Sequence, residues 1–380
     1  MSKTGQILAS PRGYSFYLPN PLPPEINWDL GLINALSDAD RLLGNLAGEG
    51  NKLPNPHILI RPFIAREAVL SSRIEGTHAT LGEILAADAG ATVETGAVDD
   101  LKEVNNYIVA LEYGIKRLET LPLSLRLIRE LHQKLMSGVH GEHATPGEFR
   151  YTQNWIGVAG CTITTATYVP PAPDHLIACL GDLENFLRDY TFPPLVQIAL
   201  AHYQFEAIHP FLDGNGRVGR LLITLFLIER NVLPAPLLYL SAFFEATRQE
   251  YYARLLAVSQ QGDWTGWLQY FLNGVARQAE DAISRSYRIN QLLDLWRQQT
   301  VSLSTTLPNL LINELGKNPF ITVNKSAELL AVSYATVQRA INKLVELGIV
   351  QEVSGNKRNK IYCAKLILEI LEEPAKITAG

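Results

Sequence analysis

The stretch His209-Pro-Phe-Leu-Asp-Gly-Asn-Gly-Arg-Val-Gly-Arg220 decides how this chain is read. Before it, Leu195, Ile198, Ala199, Phe205 and Ile208 place apolar side chains at helical spacing. After it, Leu221 to Glu229 is strongly apolar and carries no helix breaker. The spacing therefore predicts a tight loop between two buried helices, with glycines at the start of the second. Unpaired N–H groups and the helix dipole make such a terminus attractive to anions. Gly214 and Gly216 let the backbone approach a phosphate closely. Arg217 and Arg220 stand three apart, so they share a helix face and can converge on one anion. Asp213 can hold a hard cation such as Mg²⁺ against phosphate oxygens. His209 is the group able to take a proton near neutral pH. Packing alone does not call for Asp, Asn and two Arg on one loop.

Phosphoryl-type transfer needs positioning and charge neutralisation more than covalent help from a protein. A base, a metal carboxylate, backbone donors and two arginines supply that set. No G-x-x-x-x-G-K-[ST] sequence occurs, which disfavours a P-loop ATPase.

At every defined position the stretch resembles the signature of the Fic family, HxFx(D/E)GNGRxxR. The resemblance implies a mainly α protein: a compact helical core with a β-hairpin flap over the site. It implies transfer of AMP from ATP to a hydroxyl (Tyr, Thr or Ser) of a target protein. His209 would deprotonate that hydroxyl, and Asp213 would ligate Mg²⁺. Gly214, Asn215 and Gly216 would form the anion cradle, with Gly219 in the same nucleotide-binding run. Arg217 and Arg220 would bind the outer phosphates, Arg220 orienting the γ-phosphate. Upstream, Ser71-Ser-Arg-Ile-Glu-Gly76 is similar to the family's inhibitory motif, (S/T)xxxE(G/N). Ile64 to Ile74 has good helix formers and precedes Gly76, a plausible C-cap. The resemblance implies that Glu75, with Ser71, enters the nucleotide site and pairs with Arg220.

Two more segments follow from the same comparison. Pro146 to Pro171 contains β-formers punctuated by Gly157 and Gly160, which reads as a hairpin. It resembles the family's flap, which docks a target segment by strand addition, here around Ile156 and Gly157. Glu250-Tyr-Tyr252 resembles the helix near the adenine, and the adenine role is open between Tyr251 and Tyr252.

The chain has 380 residues, 47% of them apolar and 19% charged, enough for two or three domains. A net charge of −5 excludes bulk nucleic-acid binding. Cys161, Cys179 and Cys363 form no CxxC pair, which argues for a reducing compartment and against structural zinc. No basic-then-apolar signal opens the chain, and the longest apolar run, Leu221 to Ile228, is far below the roughly 20 residues that span a bilayer. A cytoplasmic protein without a membrane partner is expected.

Three domains are expected: an N-terminal helical region with the inhibitory helix (1–95), a Fic core (96–290) and a winged helix (300–368). In the tail, Val323 to Leu330 and Tyr334 to Leu347 form a helix-turn-helix pattern with Ser333 as N-cap. Ile349 to Val353 and Lys360 to Cys363 read as a wing. Residues 321–365 hold seven Lys or Arg against three Glu, a local +4. Such a module either binds duplex DNA through the wing or serves as a dimer or docking element. The expected partners are ATP, a target protein, the chain itself by self-modification, DNA through 321–365, and a second copy in a homodimer. Two other functions stay open. One is removal of AMP from a modified protein by the same site. The other is a winged-helix transcription regulator whose core only senses nucleotide, against which the intact His209 argues.

Overall fold

A computed structural model of the chain describes residues 4–52, 57–91, 98–139, 145–301, 303, 305–355 and 359–377. In chain order the elements are β1 (Gly5–Ala9), β2 (Ser15–Pro19), α1 (Leu30–Lys52), α2 (His57–Ile74), α3 (Leu81–Asp88), α4 (Val98–Arg117), α5 (Leu125–Leu135), α6 (Pro173–Leu187), α7 (Pro194–Ile208), α8 (Asn215–Glu229), α9 (Ser241–Ala246), α10 (Arg248–Gln261), α11 (Trp264–Thr300), α12 (Leu307–Lys317), β3 (Phe320–Thr322), α13 (Val323–Leu330), α14 (Tyr334–Glu346), β4 (Gln351–Glu352), β5 (Ile361–Cys363) and α15 (Lys365–Glu372). The protein is mainly helical, as the family resemblance implies.

The two helices flanking His209–Arg220 lie at the centre. α7 starts at a proline, which needs no N–H in the first helical turn. Its side chains are buried almost all round, the exposed Pro194 and the half-buried Glu206 excepted. A helix apolar on every face must sit inside the protein, and α7 packs against α1, α6, α8, α10 and α11. α8 is buried from Arg217 to Leu227. The loop between them is thus carried on two helices that cannot shift without disturbing the core.

Local signals set several other helix starts. Thr80 and Glu83 form a reciprocal capping box on α3. Ser124, Thr322 and Ser333 cap α5, α13 and α14 through their side chains. The helical stretch Val98–Met136 is broken at Pro122-Leu-Ser124, as that sequence predicts: α4 ends at Arg117 and α5 starts at Leu125.

The expected division near residue 290 does not fall in a loop. α11 runs unbroken from Trp264 to Thr300 and packs along α1, α12 and α15. The apolar core is continuous from Leu32 to Leu371. The tail has the element order read from the sequence, with a three-stranded antiparallel sheet ordered β3-β5-β4. Its surface toward α2 and α3 is committed. Asn318 Nδ2 donates to Leu85 O (2.8 Å), Thr322 Oγ1 donates to Ala89 O (3.0 Å), and α12 packs on α2. The local +4 is also partly spent. Lys325, Lys343 and Lys360 each pair with a carboxylate: Asp88, Glu346 and Glu352. Lys357 and Arg358, the expected wing tip, lie outside the described residues.

A buried ion cluster joins α2, α11 and α15. Asp281 accepts from Arg285 Nε at 2.7 Å and faces Arg66 Nη1 at 3.8 Å. Arg285 also donates to the carbonyls of Ile370, Glu373 and Pro374, which lack partners at the end of α15. Burial, then the neighbouring Arg285 charge, pushes Arg66 down to about 10. Replacing Asp281 by Ala leaves two buried guanidiniums facing each other. We expect a loss of about 3–5 kcal/mol in urea or thermal unfolding, the size seen when one partner of a buried pair is removed; a loss under ~1 kcal/mol would show that the cluster is solvated.

Candidate active site

His209 occupies the C-cap of α7 in the left-handed region (φ 49°), and Gly214 caps α8 at φ 77°, which suits glycine. The loop between them is braced through its own carbonyls. Arg150, 2% exposed, donates to the carbonyls of His209 (2.9 Å), Ile208 (3.3 Å), Pro171 (2.6 Å) and Thr152 (3.2 Å). Asn154 Nδ2 donates to Phe211 O at 2.9 Å. The Asn215 side chain accepts from Phe211 N–H (2.8 Å) and donates to Phe211 O (2.9 Å). Beneath the loop, His132 stacks on Phe211 with ring centroids 3.7 Å apart. Its Nδ1 accepts from Gly147 N–H (2.8 Å), so Nε2 carries the proton and donates to Asp213 O (3.1 Å). Burial pushes His132 down to about 4, which keeps it neutral.

Arg220 and Glu75 meet. Arg220 Nη2 lies 2.7 Å from Glu75 Oε1, and the Arg220 side chain is 1% exposed against 35% for Glu75. Arg220 also donates through Nε to Ser71 Oγ and through Nη2 to Ser71 O, both at 2.8 Å. Glu75 Oε1 rests directly over Gly216, inside the space that a Cβ there would fill. The carboxylate thus occupies the concavity offered to an anion. Desolvation raises the Glu75 carboxyl, but the Arg220 charge and hydrogen bond, then Arg217 and His209, outweigh it and hold it below its ordinary value. Burial likewise opposes the Arg220 charge, and Glu75, then Tyr251 and Glu206, raise it above the usual arginine value.

Arg217, 3% exposed, donates through Nη1 to Glu103 Oε2 of α4 at 2.8 Å. Its Nε is buried without a partner. An orphaned guanidinium N–H beside a glycine-rich helix start fits an anionic ligand. Asp213 is 54% exposed at the loop mouth; its Oδ1 accepts from Gly214 N–H at 2.6 Å. One exposed carboxylate suits Mg²⁺ that takes its other oxygens from phosphate and water. Among the described residues, no group of three His, Cys, Asp or Glu could hold a metal unaided.

Comparison with known proteins matches this geometry to a family. Residues 33–116 match the Fic/DOC family N-terminal model and residues 122–227 the Fic/DOC family model, together half of the chain. The chain belongs to the Fic family. It is 30% identical over 219 residues to protein adenylyltransferase fic-1 of Caenorhabditis briggsae, covering 56% of this chain and 39% of that protein. It is 28% identical over 246 residues to protein adenylyltransferase Fic of Drosophila grimshawi, covering 63% and 44%. The chain spans about two fifths of the length of the curated relatives it matches. A Fic family protein from Desulfovibrio desulfuricans G20 has a similar fold (TM-score 0.60, 22% identity), covering 90% of this chain and 98% of that one. A fragment of Fic-1 from Caenorhabditis elegans matches with TM-score 0.54 and 26% identity, over 68% of this chain and 74% of that one.

Within the Fic signature, some residues stand elsewhere than expected. The Asn215 side chain ties the loop to Phe211 and is not free to meet a ligand. Gly219 faces α7, its carbonyl bonded to His202 Nδ1 at 3.1 Å, so it serves helix packing and not the cradle. Tyr251 is 1% exposed, and its hydroxyl meets His202 Nε2 at 2.8 Å; it is a core residue. Tyr252, 42% exposed and beside Arg248, presents the available ring. The flap is a loose hairpin with one isolated bridge, Ile156 to Tyr168, because turns and bends occupy most of Gly157–Thr167. Its base is anchored by Tyr168 Oη to Ala207 O (2.8 Å) and by Tyr17 N–H of β2 to Val169 O (2.9 Å). Trp155, Ile156 and Val158 are exposed on it. Gly157 lies over Cys161 Sγ.

Sequence reading missed Arg150, His132, Glu103 and Glu206. Arg150, His132 and Glu103 have no local signature, since each acts on residues far away in the chain. Glu206, one turn before His209, has a buried oxygen without a partner, and burial pushes its carboxyl up to about 8. Glu67, earlier on α2, is no solvated neighbour. It is 2% exposed and accepts from Tyr107 Oη (3.1 Å) and Ser241 N–H (3.2 Å).

Burial, then the Arg150 charge, pushes His209 down to about 4 against the opposing pull of Glu75. A lowered pKa leaves the proton-accepting form intact at every pH above it. For any reaction in which His209 is the base, kcat/KM should therefore stay level from pH 8 to about 6, where an imidazole near 6.5 would already have lost most of its base form. A half-maximal point near 6.5 assigned to His209 by substitution would contradict this.

Proposed function

We propose that the chain transfers AMP from ATP to a hydroxyl of a target protein and that Glu75 restrains it. The observation that carries this reading is the Glu75 carboxylate seated over Gly216 on the Arg220 guanidinium. An anion already fills the cradle, one loop away from a neutral histidine. The names of the relatives supply the reaction class.

In the proposed step the target hydroxyl oxygen attacks the α-phosphorus of ATP. The bond from that phosphorus to the bridging oxygen breaks, and pyrophosphate leaves. His209 takes the hydroxyl proton. Arg217, Arg220 and the loop N–H groups hold phosphate charge, and Asp213 would hold Mg²⁺. When bound, that ion supplies charge neutralisation on the triphosphate. Arg150 and His132 keep the loop carbonyls turned away, so its N–H groups need no rearrangement on binding. Exposed Trp155, Ile156 and Val158 give a target segment an apolar edge on the flap.

Glu75 competes with the outer phosphates for Arg220. Such a charge-assisted hydrogen bond is worth about 1–3 kcal/mol, toward the lower end because Glu75 is partly solvated. Glu75→Gly should raise incorporation of α-labelled ATP into protein, self-modification included, by about 5- to 100-fold. His209→Ala in that background should remove about 10²–10⁴ of the rate while ATP still binds. Equal labelling by Glu75→Gly and the wild type would sink the restraint, and equal labelling with and without His209 would sink the mechanism.

A second reading has one observation in its favour. Glu75 is held below the ordinary carboxyl range beside His209, so it is ionised and able to orient a water for removal of AMP. On that reading Glu75→Gly loses AMP release from a pre-modified target. Asp213→Ala, or EDTA, should abolish either direction; activity unchanged in EDTA would take Mg²⁺ out of the account.

A further inference from the structure

The two signature arginines are held by carboxylates in different ways. Glu75 covers Arg220 from the side on which the cradle opens, over Gly216. Glu103 reaches Arg217 from α4, an element outside the signature, the inhibitory motif and the flap. It takes Nη1 alone, at 2.8 Å. Arg217 Nη2 is left facing Asp213 Oδ1 at 3.8 Å and the Met136 thioether at 3.7 Å, a weak acceptor. Nε is buried with no partner. Nε and Nη2 form the side-on edge of the guanidinium, the fork that matches two oxygens of one phosphate. Glu103 therefore grips the far corner and leaves the fork whole.

The same carboxylate oxygen accepts from Thr77 Oγ1 at 3.5 Å, and His78 N–H donates to Asp100 Oδ2 of α4 at 2.8 Å. Thr77 lies two residues past Glu75. α4 thus holds both the turn that presents Glu75 and the arginine that Glu75 does not reach.

We propose that Glu103 is a positioning residue for phosphate binding: it straps Arg217 by one nitrogen so that the Nε–Nη2 edge faces Asp213 and the cradle. The strap also offsets one positive charge, so its effects on orientation and on charge have opposite signs. This rests on the reading of the loop as a triphosphate site.

The test uses the full-length Glu75→Gly protein as parent. ATP with Mg²⁺ and, separately, adenosine are titrated by calorimetry, and AMP transfer is followed for kcat and KM. Glu103→Ala should weaken ATP about tenfold, the loss of roughly one well-aligned charge-assisted contact, with adenosine unchanged. Glu103→Gln keeps an acceptor oxygen at the same reach and removes the charge; it should bind ATP as tightly as the parent or more tightly. Glu103→Asp keeps the charge and shortens the reach; it should lose affinity as Ala does, and it stands in for Ala if that variant does not fold. ATP affinity unaffected in Ala and Asp overturns the proposal. So does an equal loss in Gln and Ala, or a parallel loss of adenosine, which would mark general damage. If the parent binds ATP but labels no protein, the transfer reading fails while the binding series still decides Glu103. If the parent binds no triphosphate, both fail.

Discussion

A guanidinium that is almost fully buried cannot be left without a counter-charge. Arg220 is in that position, and the structure gives it three hydrogen bonds, all from the Ser71–Glu75 segment. Removing the partner of a buried ion costs several kcal/mol. In this structure the counter-charge is Glu75, whose carboxylate lies 2.7 Å from the guanidinium and rests over Gly216; on the proposed function the outer phosphates of ATP compete for that place. The same requirement fits the full burial of Ser71 and the missing side chain at Gly216, over which Glu75 rests.

The loop itself is held by what surrounds it. Ile208, His209, Phe211 and Asp213 all present carbonyls that Arg150, Asn154, Asn215 and His132 engage. With the carbonyls tied back, the N–H groups and side chains that remain are the ones chemistry can use. The histidine is neutral because burial and the Arg150 charge disfavour its protonated form. The same arginine thus shapes the loop and helps set the state of the base.

The helix that leads to Glu75, α2, is gripped far from the loop as well. The turn after Glu75 is tied to α4 through Thr77 and His78. Arg66 of α2 shares Asp281 with Arg285, which caps the end of α15. The tail that reads as a separate winged helix is in this way part of the support of α2. Three of the seven cations in 321–365, Lys325, Lys343 and Lys360, are committed to carboxylates, which weakens the argument for nucleic acid drawn from local charge.

The sequence by itself determined what depends on near neighbours. The periodicity around Leu195–Ile208 and Leu221–Glu229 predicted two buried helices. The density of His, Asp, Gly and Arg between them predicted the site. Ser333 and the spacing after it predicted the helix-turn-helix. The resemblance to the Fic family added the pairing of Glu75 with Arg220, which the structure places at 2.7 Å. Tertiary structure decided the rest. Tyr251 and Tyr252 are adjacent and chemically alike, and only the rotation of α10 against the core sends one inward and leaves the other outside. Asn215 and Gly219 look like ligand residues within the motif, but the Phe211 backbone claims the first and the His202 side chain the carbonyl of the second. Arg150, His132 and Glu103 carry no signature because their partners lie 59, 81 and 114 residues away. Short-range order follows from local chemistry; which polar group meets which across the chain follows only when burial removes water as the alternative partner.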